Sequence, residues 1–297
     1  MQSFQRPVSQ YDPGVIQDTG VNGLPRIVLA HPSGARVELY THGAHITSWK
    51  TARGDELLFL SRKSRFKPDC PIRGGIPLVF PQFGNTGPLP QHGLARTGEW
   101  ALVDSGMTPA GEVFVTLRLE ADAGTLRLWP FRFALEYSVR LTDALAVRLT
   151  VTNTSGVPFQ FQAALHTYFQ IADISRTAVI GLKDTELIDS LRADIQEREK
   201  RERITFDYET DRIYVKAPDS LQVSDGGNRR SVHIEKHGMN DAVVWNPWSG
   251  KSQRMEDFGD DEYLRMVCVE TGNIVAPVEL NPGARWAGAT MFSVAED

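Results

Sequence analysis

Residues 113–121 read VFVTLRLEA, a run in which valine and leucine alternate with Phe, Thr, Arg and Glu. Successive side chains of a β-strand point to opposite faces, so this period of two places one face against a core and the other toward water or a second sheet. The same alternation recurs at Phe131–Val139 and Leu145–Thr154, on either side of the turn Leu141–Ala144. These segments predict an antiparallel β structure.

Further strand-like segments lie between turn-forming residues along the rest of the chain. Arg26–Ala30 and Arg36–Tyr40 enclose the turn HPSGA at 31–35, which predicts a hairpin, and Asp225–Asn228 (DGGN) predicts a second one. The other predicted strands are Gln160–Ala164, Leu221–Val223, Ser231–Glu235, Ala242–Trp245, Leu264–Val269 and Ala287–Val294.

Helical periodicity is scarce, and the best example is Glu186–Glu202, where Leu187, Leu191 and Ile195 recur at a spacing of four. This spacing predicts a short amphipathic helix, and the few apolar residues in its second half predict an exposed segment. No linker composition or internal repeat divides the chain. We therefore expect one all-β domain over residues 1–297, a large antiparallel β-sandwich with few short helices, in which residues 1–25 are peripheral.

Composition restricts the class of partner. The chain has 297 residues, 41% of them hydrophobic and 23% charged, as in soluble globular proteins. Its net charge of -5 supplies no positive field for nucleic acid or an anionic membrane, so neither partner is expected. Cys70 and Cys268 form no disulfide or zinc pattern, which suits a reducing compartment. No signal-like or membrane-spanning apolar run occurs, and we expect a cytoplasmic protein.

The segment Pro71–Gly84 interleaves prolines and glycines with hydrophobic residues. Such a sequence makes a poor strand and suits a fixed irregular loop, because proline cannot donate to a ladder and glycine weakens one. Arg73 precedes Gly74 and Gly75, whose missing Cβ atoms would let a ligand approach the backbone.

Polar residues follow in Leu89–Arg96. Gln91 supplies a neutral donor and acceptor, His92 a titratable ring, and Arg96 a planar cation that can grip a carboxylate or phosphate through two parallel bonds. The alternative is a packed loop whose arginines make structural ion pairs.

Three further titratable residues are candidates. His166 lies among apolar and aromatic residues at a predicted strand end, where it is either a satisfied core histidine or a group that transfers protons near neutral pH. Glu270 leaves an apolar strand into a turn, as a turn-capping group or as a general base whose pKa burial has raised. Asp211 is an acidic residue shortly before an apolar pair, where it can also be a strand-entry cap or a partner for Arg212.

Other histidines are assigned structural or surface roles. His42 and His45 point to opposite faces of a strand, and His233 and His237 are ~13 Å apart along one, so neither pair is spaced to share a metal ion. The basic run Ser61–Lys67 predicts a solvated face. Because GxSxG, Walker A, GxGxxG and HExxH are all absent, serine-hydrolase, nucleotide-binding and zincin activities lose support.

Seven segments, taken together and in order, resemble the glucose-6-phosphate 1-epimerases, also called hexose-6-phosphate mutarotases, of the aldose-1-epimerase superfamily. They are Pro71–Gly84, Gln91–Arg96, Leu165–Phe169, Asp211–Tyr214, Val244–Trp248, Val267–Asn273 and Leu280–Trp286. The resemblance runs from about residue 30 to the C-terminus. It implies a galactose mutarotase-like β-supersandwich, in agreement with the strand pattern.

By this resemblance His166 and Glu270 match the family's catalytic residues. Arg73, Gln91, Arg96 and Asp211 match its substrate-contacting positions, and the resemblance also places the neighbouring His92 near the sugar. The implied reaction interconverts the α and β anomers of a hexose 6-phosphate and needs no metal or cofactor.

We expect Glu270 to act as base and His166 as acid, and Arg73 and Arg96 to contact the 6-phosphate. The alternatives are a 1-epimerase for free aldoses and a non-catalytic sugar-binding or regulatory module on the same fold. A lyase or glycosidase has less support, because no second acidic partner for glycosidic cleavage is identified. A monomer is expected.

Overall fold

The structure, a computed structural model, describes residues 12–192 and 195–296. In that part of the chain the strands are β1 (Gly14–Thr19), β2 (Pro25–Ala30), β3 (Arg36–Tyr40), β4 (His45–Lys50), β5 (Leu78–Val79), β6 (Ala101–Met107), β7 (Val113–Glu120), β8 (Phe133–Leu141), β9 (Leu145–Asn153), β10 (Phe159–Leu165), β11 (Tyr168–Gln170), β12 (Thr177–Ile180), β13 (Glu186–Asp189), β14 (Ile195–Arg198), β15 (Arg203–Ile204), β16 (Thr210–Val215), β17 (Ser220–Asp225), β18 (Arg230–His237), β19 (Asp241–Asn246), β20 (Met266–Leu280) and β21 (Arg285–Glu296).

Helices are few and short. The α-helices are α1 (Ala123–Leu128) and α2 (Trp248–Ser252), and the 3-10 helices are Val21–Gly23, Ala95–Thr97, Ile174–Arg176 and Glu262–Arg265. Within the described ranges, no helix has the length and apolar character needed to cross a bilayer. The predicted all-β class with few short helices is confirmed.

The strands form three antiparallel sheets. A four-stranded sheet has the order β1-β2-β3-β4, and a nine-stranded sheet has the order β15-β12-β17-β18-β21-β9-β8-β7-β6. An eight-stranded sheet has the order β14-β13-β16-β19-β20-β10-β5, and β11 also pairs with β20. The main hydrophobic core takes side chains from all three sheets, for example Val37, Leu149 and Val244. The predicted β-sandwich is therefore confirmed.

The two faces of the eight-stranded sheet are different. Along β20, Val267 and Val269 belong to the main core, whereas Cys268 between them joins a smaller cluster with Trp245 and Tyr168. Directly paired residues of antiparallel strands share a face, and Cys268 pairs with both Trp245 and Tyr168. The second face therefore lies away from the main core, and it carries the candidate site.

The predicted helix over Glu186–Glu202 is wrong. The chain forms the hairpin of β13 and β14 instead, and β13 also pairs with β16. The three residues belong to different parts of the hairpin: Leu187 lies in β13, Leu191 in the turn and Ile195 in β14. The backbone hydrogen bonds offered by β16 favour the strand over a helix at Leu187. All four residues of β14 are exposed, as predicted for this segment.

The histidines discounted as metal ligands have structural roles. The His42 ring contacts Glu99 and the Cys70 carbonyl at 2.9 and 2.8 Å, and Nε2 of His45 lies 2.8 Å from the Gly74 carbonyl. Both rings are fully buried. The second hydrogen bond matters for the site, because it fixes the backbone next to Arg73.

Candidate active site

His166 and Glu270 meet where the ladder along β20 is interrupted. β10 pairs with β20 as far as Leu165 opposite Thr271, and β11 resumes with Tyr168 opposite Cys268. His166 lies in the gap, where its amide donates to the Pro77 carbonyl. As a result, His166 Nε2 and Glu270 Oε1 are 3.3 Å apart.

The pair is buried but incompletely hydrogen-bonded. The His166 side chain is 10% exposed and that of Glu270 is 2% exposed, so the pair reaches solvent through the imidazole. His166 Nδ1 and Glu270 Oε2 have no hydrogen-bond partner in the described part of the chain. Buried polar atoms are nearly always paired, and exceptions concentrate at functional sites. Both residues of the pair therefore keep hydrogen-bonding capacity that the described part of the fold does not use.

Aromatic rings hold the imidazole in place. Tyr168 stacks on His166 with 4.8 Å between ring centroids and 10° between planes. The rings of His92 and Trp245 meet its edge or face at 5.3 and 6.1 Å. This packing restricts rotation of the ring, so it fixes the direction in which the two nitrogens point.

Burial favours the neutral forms of the pair. It raises the pKa of Glu270 well above its ordinary value, and the charge of Asp211 adds to this shift. Burial, with the nearby His92, Arg73 and Arg96, lowers the pKa of His166 well below its ordinary value. Both shifts act in the same direction, toward an uncharged imidazole and an uncharged carboxyl group.

Arg73 is tied to the histidine through Tyr168. Its Nη1 donates to the Tyr168 hydroxyl at 3.0 Å, and its Nε donates to Asp257 at 3.2 Å. Burial opposes the charge, but Tyr168 and Asp257 outweigh it and raise the pKa of Arg73. Arg73 is therefore a permanent cation, and its own carboxylate partner already engages part of it.

The glycines after Arg73 serve the protein's own backbone. A Cβ on Gly74 would lie 2.4 Å from the Phe59 carbonyl oxygen, and one on Gly75 would lie 2.0 Å from that of Ile46. The expectation that they leave room for a ligand is wrong, because neighbouring chain fills that space. They let the loop carrying Arg73 pack closely enough to be rigid.

His92 belongs to a loop that is clamped from within. The Gln82 amide group donates to the carbonyls of Gly84 and Leu89 and accepts from the Leu89 amide. His92 adopts a left-handed backbone with φ of 64°, a costly conformation for a residue with a side chain. The Gly84 amide donates to its Nδ1, so the neutral ring carries its proton on Nε2.

Burial and the charges of Arg96 and Arg73 lower the pKa of His92 to about 3. His92 is therefore a neutral ring at physiological pH, in edge contact with His166. It offers an N–H donor to a ligand and does not compete with His166 for a proton.

Arg96 is a buried cation without an anionic partner. It lies in the 3-10 helix Ala95–Thr97, and its Nη2 donates to the Gln91 carbonyl at 2.6 Å. No ion pair joins it to a carboxylate within residues 12–192 and 195–296. Burial and the neighbouring charge of Arg73 lower its pKa to about 10. An uncompensated buried guanidinium of this kind suits an anionic ligand.

Gln91 differs from the other candidates because its side chain is exposed. Its connection to the site is the backbone carbonyl that receives Arg96. The contact that the structure shows for Gln91 is therefore made by its backbone, which accepts a hydrogen bond from Arg96.

Asp211 lies on the same face as the pair. It is opposite Trp245 on β19, and Trp245 is opposite Cys268 on β20. Its carboxylate is 3.6 Å from Lys251 Nζ, which also sits over the Trp245 ring. Burial raises the pKa of Asp211 although Lys251 opposes the shift. The alternative pairing with Arg212 is wrong, because Arg212 pairs with Asp189.

Residues 25–293 match the sequence profile of the aldose 1-epimerase family. The chain belongs to the aldose 1-epimerase family. The predicted family membership is confirmed.

Three relatives of this epimerase-family chain bear directly on the comparison. A Cenchrus ciliaris protein is 40% identical over 92% of this chain and 85% of its own length, and an Escherichia coli K12 protein is 35% identical over 90% of each chain. Both carry the provisional name glucose-6-phosphate 1-epimerase. The crystal structure of a provisionally assigned mutarotase (YeaD) from Salmonella typhimurium superposes with a TM-score of 0.89 at 30% identity, covering 97% of this chain and 96% of that one.

Several residues of this epimerase-family site were not singled out from the sequence. Tyr168 and Trp245 lie inside motifs that were recognised, but only the packing reveals that they hold His166. Asp257 and Lys251 lie outside those motifs, and no local pattern distinguishes them from other surface charges. In the sequence, Cys268 indicates only a reducing compartment, although in the structure it lies beside both His166 and Glu270.

Proposed function

We propose that the protein interconverts the α and β anomers of hexose 6-phosphates, chiefly glucose 6-phosphate, by acid and base catalysis of ring opening and closure. The main support is the pair itself: an imidazole and a carboxyl group 3.3 Å apart, partly open to solvent and each with a free hydrogen-bonding atom. Membership of the aldose 1-epimerase family supports the same reaction.

The proposed reaction needs one base and one acid. Glu270 takes the proton of the C1 hydroxyl while His166 gives a proton to the ring oxygen, and the C1 to ring-oxygen bond breaks to leave an open-chain aldehyde. Rotation about C1–C2 presents the other carbonyl face, and closure returns both protons with the roles reversed. Each group contributes on the order of 10² to 10⁴ in rate.

This role assignment fits the protonation of the buried pair. Ring opening requires a carboxylate and an imidazolium, and the uncharged pair that burial favours contains the same number of protons. Moving one proton from Glu270 to His166 therefore prepares both groups without exchange with solvent. A substrate that favours the charged pair would start the reaction.

The 6-phosphate is such a group. Arg96 is buried without an ion-pair partner in the described residues, and the charges of Arg73 and Arg96 both lower the pKa of His166. A phosphate dianion held by these arginines would cancel their field at the imidazole and raise its pKa. Because free hexose lacks this dianion, we propose the phosphosugar as the substrate. We further propose that Gln91, His92 and Asp211 contact oxygen atoms of the sugar.

Two-dimensional exchange NMR tests this function. With catalytic amounts of protein, cross-peaks between the anomeric protons of glucose 6-phosphate should grow faster than in buffer alone, and the acceleration should be smaller for free glucose. Equal acceleration of both sugars would identify a free-aldose 1-epimerase. Line broadening of the phosphosugar without faster exchange would identify a binding module and overturn the proposal.

We also propose that the chain acts as a single-domain monomer over residues 1–297 in the cytoplasm, with residues 1–25 peripheral. Residues 12–25 include β1, which forms the outer strand of the four-stranded sheet. Residues 1–11 lie outside the described residues.

A further inference from the structure

Cys268 completes a cluster of metal-binding atoms at the His166–Glu270 pair. One ring nitrogen of His166, Sγ of Cys268 and one carboxylate oxygen of Glu270 all lie within 4.8 Å of one another. Cys268 and Glu270 are two residues apart on β20, so their side chains share a face, and His166 lies in the gap beside them. The proposed sugar chemistry assigns no step to the thiol.

The atoms of this cluster are free to bind. His166 Nδ1 and Glu270 Oε2 are buried without hydrogen-bond partners in the described part of the chain, and Cys268 is a free, buried cysteine. Imidazole, thiolate and carboxylate are the three ligand types of catalytic and structural zinc sites, and three protein ligands leave a fourth position open. The second, independent observation is thus that two of the three residues beside one another in this cluster each carry a buried polar atom without a partner in the described part of the chain.

We propose that His166, Cys268 and Glu270 form a binding site for a thiophilic divalent cation of the Zn²⁺ class, and that the bound ion inhibits the enzyme. The ion would occupy the position of the reacting sugar atoms and engage both the acid and the base. Oxygen-seeking ions such as Mg²⁺ prefer six oxygen ligands in an octahedron and are excluded by this ligand set.

The distances suit such an ion after a small adjustment. With metal–ligand bonds of about 2.0 to 2.3 Å, tetrahedral ligand atoms are about 3.3 to 3.7 Å apart. Nε2 of His166 and Oε1 of Glu270 are already 3.3 Å apart. The longest separation between ligand atoms in the cluster has to shorten by about 1 Å. On binding, the thiol proton of Cys268 and the carboxyl proton of Glu270 leave to solvent as the sulfur–metal and oxygen–metal bonds form, so no oxidant or reductant is needed.

Cobalt substitution tests the ligand set directly. Co²⁺ takes zinc sites and reports a thiolate ligand through a sulfur-to-cobalt charge-transfer band in the near ultraviolet. The protein should show this band, and Zn²⁺ should remove it by displacement. The chain has two cysteines, so Cys70→Ser is the matched control: it should keep the band, whereas Cys268→Ser should lose it. A band that survives Cys268→Ser or disappears with Cys70→Ser overturns the proposal, as does its absence from the unaltered protein.

A thermal-unfolding measurement keeps the test decisive if the serine variant folds poorly. Zn²⁺ should raise the Tm of the unaltered protein and of Cys70→Ser, because an ion that binds the folded state stabilises it. Cys268→Ala, which replaces the thiol with a small apolar group, should show no such rise. An equal rise in Cys268→Ala means that the thiol is not a ligand and refutes the site.

The inhibition rests on the proposed function, whereas the cobalt band and the Tm shift do not. Zn²⁺ should stop anomer exchange reversibly, a chelator should restore it, and Mg²⁺ should have no effect. Because even outer partners of metal ligands change affinity by about 10- to 100-fold, Cys268→Ser should need at least about 10-fold more Zn²⁺ for half-inhibition. A cobalt band without any anomer exchange would refute the proposed function alone; a Zn²⁺-insensitive exchange would refute the inhibitory site alone.

Discussion

Consecutive residues of β20 belong to two very different environments. Val267, Val269 and Thr271 point into the main core or across to the nine-stranded sheet, while Cys268 and Glu270 point to the opposite face. Both sets are buried to a similar degree. The difference between them lies in hydrogen bonding, since burial is common to both.

On the core side the polar group is paired. The Thr271 hydroxyl lies 2.6 Å from the Thr290 hydroxyl of β21, so a buried polar atom has its partner within the fold. On the site side, Glu270 Oε2 and His166 Nδ1 have none in the described residues. One face therefore serves stability, and the other keeps groups unsatisfied for a ligand at a cost in stability.

Glu270→Gln gives the largest expected effect. The amide keeps the shape but cannot accept a proton, so the exchange rate of glucose 6-phosphate should fall by about 10² to 10⁴. Removing a buried ionisable group should leave the free energy of unfolding equal or higher. Exchange NMR and urea unfolding measure the two quantities.

Thr271→Val is the control on the opposite face of the same strand. It should leave the exchange rate unchanged and lower the free energy of unfolding by about 1 to 3 kcal/mol, because Thr290 loses its buried partner.

If Glu270→Gln retains full activity while His166→Ala abolishes it, the base is another group.

Arg96→Ala should separate phosphorylated from free sugar. Loss of a charge-assisted hydrogen bond of about 1.5 to 3 kcal/mol predicts a fall of about 10- to 150-fold in kcat/KM for glucose 6-phosphate, and a much smaller fall for glucose. The control is Arg140→Ala, since Arg140 is half exposed and paired with Glu112. Equal losses on both sugars would remove Arg96 from the phosphate site.

His45, a buried histidine outside the site, should make the free energy of unfolding depend on pH. Burial lowers the pKa of His45 to about 3, so the unfolded chain binds this proton first as the pH falls below about 6.5. Its contribution to stability is complete above that pH and is lost toward pH 3, with a slope of about 1.4 kcal/mol per pH unit.

His45→Gln removes that titration but keeps a donor toward the Gly74 carbonyl. Below about pH 5.5, the free energy of unfolding measured with urea should therefore fall less steeply with decreasing pH for the variant than for the unaltered protein, by about 1.4 kcal/mol per pH unit. Parallel pH profiles of the two proteins would show that His45 does not titrate between the folded and unfolded states.

The smallest effect is expected at the rim of the site. Lys251→Met removes the cation beside Asp211, so the pKa of Asp211 should rise further. We expect kcat/KM to fall by about 1.4- to 5-fold, as for a pair worth about 0.2 to 1 kcal/mol. The acid limb of the pH profile should move to higher pH, and Lys251→Arg should restore it. An unchanged profile would mean that Asp211 acts without Lys251.

Local pattern was enough to predict the strands and much of the site. The alternation at residues 113–121 becomes β7, in which Val113, Val115 and Leu117 are buried. Ordered motifs led to the epimerase family, and thereby to His166 and Glu270. The strand prediction succeeds because the alternation of buried and exposed residues along a strand depends only on residues that are close in sequence.

The same reasoning failed where partners come from distant segments. The spacing of apolar residues at Leu187 predicted a helix, but Leu187 pairs with β16 in a sheet. The missing Cβ of Gly74 makes room for a neighbouring segment of the chain and not for a ligand. Asp257, which engages Arg73, lies 184 positions away from it. The amino-acid sequence alone thus established the strands, their faces and the family. The packing of separate strands decided which groups meet, which remain unpaired and how burial shifts their pKa values. The reason is that strand order and desolvation arise only when distant segments come together.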